Sequence, residues 1–103
     1  MLLDIHTHRR IAVPGEYILN IEPARFDPAE GGYYSVGIHP WKVPEAAPED
    51  WEKLERAAGH PSVLAIGEAG LDKLASADIL LQKEVFVRQV LLSESVGKPL
   101  VIH

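Results

Sequence analysis

Two imidazoles one residue apart, His6 and His8, close the opening apolar run in Asp4-Ile5-His6-Thr7-His8. Along a strand, side chains at i and i+2 leave the same face, so the pair can converge on one point, as two ligands of one metal ion must. Imidazole suits zinc, nickel, iron and manganese, so the pair does not select a metal. It equally fits polar surface or a hydrogen-bonded strand end. What sets it apart is that similar chemistry recurs down the chain. His39 stands in Gly37-Ile38-His39-Pro40-Trp41, Glu68 in Gly67-Glu68-Ala69-Gly70-Leu71-Asp72, and His103 follows Pro99-Leu100-Val101-Ile102.

The elements that must position these groups are short apolar runs. Leu2 to His6, Tyr17 to Ile21, Tyr33 to Ile38, Val63 to Gly67 and Pro99 to Ile102 read as strands buried on both faces of a parallel sheet. Between the third and fourth, Pro48 at a first turn, acids Glu49 and Asp50 and a stop at Gly59 predict a helix. Between the fourth and fifth, a longer helix is predicted over Ala77 to Val96. Ser76 would be its cap, and Ile79, Leu80, Phe86, Val87, Val90 and Leu91 its apolar stripe. Glu22 to Gly32, with two prolines and two glycines, reads as an irregular loop. The pattern is α/β, in one domain over residues 1–103. In parallel α/β folds, sites collect beyond the carboxyl ends of strands, and His6, His8, His39, Glu68 and His103 all fall there. His60, in a Gly-His-Pro turn, reads as solvated surface.

Composition narrows the classes. With 47% hydrophobic and 24% charged residues the chain is of the globular, not the disordered, kind. It has no cysteine, so any metal would be held by histidines and carboxylates. No apolar run approaches the roughly 20 residues of a membrane span, and a cytoplasmic setting is expected. The net charge of −5 argues against coating nucleic acid non-specifically. It does not bear on a local site, where bound cations dominate the field.

Taken together, Asp4-Ile5-His6-Thr7-His8, Val36-Gly37-Ile38-His39-Pro40-Trp41, Ala65-Ile66-Gly67-Glu68-Ala69-Gly70-Leu71-Asp72, Gln82, Val85-Phe86 and Lys98-Pro99-Leu100-Val101-Ile102-His103 resemble the successive motifs of TatD-type metal-dependent hydrolases. Asp-x-His-x-His alone also fits the polymerase-and-histidinol-phosphatase family and the amidohydrolases. The Gly-Ile-His-Pro and Gly-Glu-x-Gly-Leu-Asp pieces favour TatD.

The resemblance implies an eight-stranded (β/α) TIM-type barrel, of which these residues would form about five strands, the amino-terminal portion. It implies two divalent metal ions (Mg²⁺, Mn²⁺ or Zn²⁺) and hydrolysis of phosphodiester bonds, typically in DNA. His6 and His8 would bind one ion, Glu68 would bridge both as the catalytic carboxylate, and His103 would bind the second. A further His after the sixth strand and an Asp after the eighth belong to the same pattern. His39 would support the site or touch a phosphate. Arg9, Arg10 and Lys73 depart from the family pattern and, with Lys42, fall in loops on the metal face. They would hold phosphate if they are not simply solvated. Trp41 would stack on a base or cap the barrel mouth. The implied partner is nucleic acid or another phosphodiester, with no obligate protein partner. The alternatives are a non-catalytic or incomplete fragment of such a hydrolase, or a related metal-dependent phosphatase or amidohydrolase. The 103 residues alone are expected to be inactive.

Overall fold

The computed structural model describes residues 4–7, 17–27 and 32–103, the first four and Tyr17 as backbone only. Five strands lie side by side in chain order: β1 (Asp4–Thr7), β2 (Tyr17–Ile21), β3 (Tyr33–Val36), β4 (Val63–Ala69) and β5 (Leu100–Ile102). Every neighbouring pair is parallel. Sheets of the doubly wound kind reverse their strand order at a switch point, and this one does not, so it is laid out like a barrel wall.

Alternation along the strands sorts the side chains. Leu19 and Ile21 of β2, Tyr34 and Val36 of β3 and Ile66 of β4 enter one buried cluster. Leu54, Ala57 and Ala58 of α1 (Pro48–Ala58) and Val85 of α2 (Ile79–Val96) complete it from the helix side. Burying a side chain such as Leu54 contributes on the order of 1.5–3 kcal/mol. Ser35 sits on the other face of β3, where its Oγ accepts from Asn20 Nδ2 at 2.9 Å. The same amide donates to the Gly67 carbonyl at 2.6 Å, tying β2 across to β4.

The predicted helix α1 forms with Pro48 in its first turn. Asp50 Oδ2 reaches back to accept the Ala47 N–H at 2.8 Å. At its other end, Lys98 Nζ donates to the carbonyls of Ala58 and His60, and partial burial pushes this ammonium below its ordinary pKa. His60 is therefore not plain solvated surface. Its Nδ1 pairs with the Ser62 hydroxyl at 2.7 Å and its ring meets Phe26 edge-on.

Helix α2 differs from expectation in its cap and its buried face. Asp78, not Ser76, caps it, with Oδ1 accepting the Leu80 N–H at 2.7 Å. The residues it buries are Gln82, Val85, Gln89 and Ser93, whereas Leu80, Val87 and Leu91 of the predicted stripe are exposed. The inward face of α2 meets backbone amides and carbonyls of the loops around the site, and amide side chains satisfy those where leucines could not. Within the irregular segment, Pro23–Arg25 forms one short 3₁₀ turn.

Candidate metal centre

His39 lies just past β3, Glu68 next to the last residue of β4, and His103 directly after β5. Neighbouring strands are about 4.8 Å apart, so groups at the ends of three adjacent strands are brought within bonding range. His39 Nε2 stands 3.1 Å from Glu68 Oε1, and His103 Nδ1 stands 3.7 Å from the same oxygen. The two rings meet edge to face at 4.4 Å. One donor atom from each residue lies within 4.8 Å of the others, close enough for a shared cation. Ligand bonds of roughly 2.0–2.2 Å put neighbouring donors about 3–4 Å apart, which the Glu68–His103 pair matches.

A second carboxylate organises the rim. Asp72 Oδ2 is 2.7 Å from Trp41 Nε1 and 3.1 Å from His103 Nε2, and Oδ1 accepts the Leu74 N–H at 2.9 Å. The Leu74 amide first, then the Trp41 indole and His103, hold the Asp72 carboxyl down at about 2. Trp41 is thus tethered by its N–H while half its surface stays open.

Both loops are fastened to α2 by buried amides. Gln82 Oε1 accepts the Asp72 N–H at 2.8 Å and its Nε2 donates to the Asp72 carbonyl at 3.1 Å. Gln89 does the same for Ile38, the residue before His39, at 2.8 and 3.1 Å. Gly37 allows this close fit, since a β-carbon there would come within 2.6 Å of Gly67 Cα and 2.8 Å of Gln89 Oε1. Gln89 and the anchoring role of Asp72 were not foreseen from the sequence. The available signal was two glutamines seven residues apart, two turns along one helix face.

Of the residues singled out in the sequence, His39, Glu68 and His103 come together. Lys73 and Lys42 are exposed, and Lys42 pairs loosely with Glu22 and Glu45 at 3.7 and 3.9 Å. His8, Arg9 and Arg10 lie outside the described residues, and of His6 only the backbone, within β1, is described.

Residues 25–103 match the TatD related DNase family. The chain belongs to this family. Among TatD relatives, it is 34% identical over 77 residues to the uncharacterized metal-dependent hydrolase TatD of Mycobacterium tuberculosis, aligning 69% of this chain and 29% of that protein. It is 38% identical over 74 residues to the uncharacterized metal-dependent hydrolase YabD of Bacillus subtilis, over 69% of this chain and 28% of that one. A human relative, the 3'-5' RNA nuclease TATDN2, is 38% identical over 71 residues, 67% of this chain and 9% of its own. The crystal structure of YJJV, a TatD homolog from Escherichia coli K12, superposes with a TM-score of 0.78 at 19% identity, covering 99% of this chain and 50% of that one. The five-stranded sheet is accordingly part of a TatD-type TIM barrel. The match spans under a third of the length of these curated relatives. Among the described residues, no helix is long and apolar enough to cross a membrane.

Proposed function

We propose that this chain belongs to a metal-dependent phosphodiesterase that hydrolyses nucleic acid, DNA being the favoured substrate, in the cytoplasm. The observation that carries the reading is the convergence of Glu68, His39 and His103 on one point at the carboxyl ends of three adjacent strands. Family membership and relatives named as metal-dependent hydrolases or a nuclease support it.

Two divalent ions are the proposed cofactor, Mg²⁺, Mn²⁺ or Zn²⁺. Glu68 and His103 would hold one, and His6 and His8, with Glu68 as the shared carboxylate, the other. Bound divalent ions lower the pKa of water and neutralise charge building up on phosphoryl oxygens. His39 takes a different part. Its Nδ1 accepts the Trp41 N–H at 3.1 Å, so the ring proton sits on Nε2, which becomes a donor. That N–H points at Glu68 Oε1, 3.1 Å away, and would turn to a phosphate oxygen when substrate and metal are bound. Lys73, with Arg9 and Arg10, would add charge for the phosphate backbone, and Trp41 an open ring for a base.

The test uses the full-length protein on single- and double-stranded DNA and on RNA. Chelation should abolish hydrolysis and added Mg²⁺ or Mn²⁺ should restore it. Turnover that survives chelation would refute a metal mechanism, and cleavage confined to phosphomonoesters or amides would move the protein to another class.

A further inference from the structure

We propose that Asp72 is a positioning residue for the metal centre: its carboxylate holds His103 as the Nε2–H tautomer and so turns an unprotonated Nδ1 toward Glu68. The inference rests on the reading that Glu68 and His103 share a cation.

An ionised carboxylate accepts and never donates. Asp72 Oδ1 takes the Leu74 N–H, and Oδ2 takes the Trp41 indole N–H together with His103 Nε2. His103 Nε2 must therefore carry the proton of that contact. A neutral imidazole with its proton on Nε2 has its lone pair on Nδ1, the atom that stands 3.7 Å from Glu68 Oε1. Asp72 already receives donors on both oxygens, which suits it to orienting a ligand and not to being one. Its own position is set twice over, because Gln82 grips both its N–H and its carbonyl.

His39 is held as the same tautomer but presents its other nitrogen, Nε2, to Glu68. There the Trp41 backbone N–H takes up Nδ1 and leaves the proton on Nε2. One short segment thus fixes both rings as the Nε2–H tautomer, Trp41 through its amide on His39 and its indole on Asp72, while the rings turn opposite edges to Glu68. Ligating histidines commonly donate their second ring N–H to a carboxylate, and losing that partner weakens metal binding about 10- to 100-fold.

The decisive measurement is the tautomer of His103 in the metal-free, full-length protein, read from its ring nitrogen chemical shifts. Wild type should show the Nε2–H form. Asp72→Asn, keeping the Leu74 contact, should give up the Trp41 indole contact and aim an amide N–H at Nε2, driving the proton to Nδ1. Asp72→Ala should leave a mixture. Zn²⁺ affinity, measured by competition with a chromophoric chelator, should fall about 10- to 100-fold in both variants.

Weaker Zn²⁺ binding with an unchanged tautomer would reduce Asp72 to a nearby charge and overturn the proposal. So would unchanged affinity in the variants, which leaves the metal reading intact. Wild type that binds no Zn²⁺ overturns both. Should neither variant fold, the wild-type spectrum still decides, since an Nδ1–H His103 contradicts the assignment.

Discussion

At the scale of single residues, the proposed centre separates groups that would hold a cation from groups that would hold its partners. Glu68→Gln removes the negative charge that the proposed ions would share, so in the full-length protein metal content should drop and hydrolysis should fall roughly 100-fold or more. His39→Ala removes a donor and leaves Glu68 and His103 in place. Bound metal, counted by elemental analysis, should stay near the wild-type ratio while turnover falls about 100- to 1000-fold. Equal loss of metal in both variants would contradict this division. Asp72 gives a prediction in acid. Its carboxyl is lowered from 3.8 to about 2, so its ionisation favours the folded state above pH 3.8, and that contribution is lost as pH falls toward 2. A titration of its carboxyl carbon by NMR should have its midpoint near 2, and an ordinary midpoint would show the Leu74, Trp41 and His103 contacts absent in solution.

At the scale of elements, α2 is decisive, and it was the element least legible beforehand. The helix itself was plain from its length, from the absence of glycine and proline inside it, and from Gly97 beyond it. Its orientation was not, because hydrophobic periodicity assumes that the buried face is the apolar one. Here the helix packs on loops whose backbone groups need partners, so Gln82 and Gln89 turn inward and Val87 and Leu91 outward. The strands were legible as short apolar runs, with ends displaced by a residue or two. Glu68, for example, lies inside β4 and not after it. The meeting of His39, Glu68 and His103 was legible because strand-end placement is visible in sequence, whereas Asp72 makes its contacts between loops far apart in the chain. Gln89→Leu would strip both partners from the buried backbone of Ile38. It should cost about 2 kcal/mol or more, seen as a lower midpoint in urea unfolding, and should loosen His39 next door.

At the scale of the whole molecule, the exposed apolar side chains matter most. Leu80, Leu81, Val87 and Leu91 on α2 and Ile102 on β5 all stand open to solvent. A stretch of apolar surface on α2 beside an edge strand invites association. Residues 1–103 produced alone should self-associate in sedimentation and show no metal-dependent nuclease turnover. A monomer with a sharp cooperative melt and clear cleavage would prove this wrong.

The two glutamine clamps make α2 a measuring rod. Seven residues separate them, about 10.5 Å along a helix axis at roughly 1.5 Å per residue, and that length sets how far the loop bearing His39 stands from the loop bearing Asp72. One residue inserted between Gln82 and Gln89 would rotate one clamp by about 100° relative to the other, so only one loop could stay fastened. The same insertion after Ser93 would leave both in phase. Spacing within a helix that supplies none of the proposed ligands thus governs whether those side chains meet, and a length change there should be felt at the proposed cation site before it is felt in the fold.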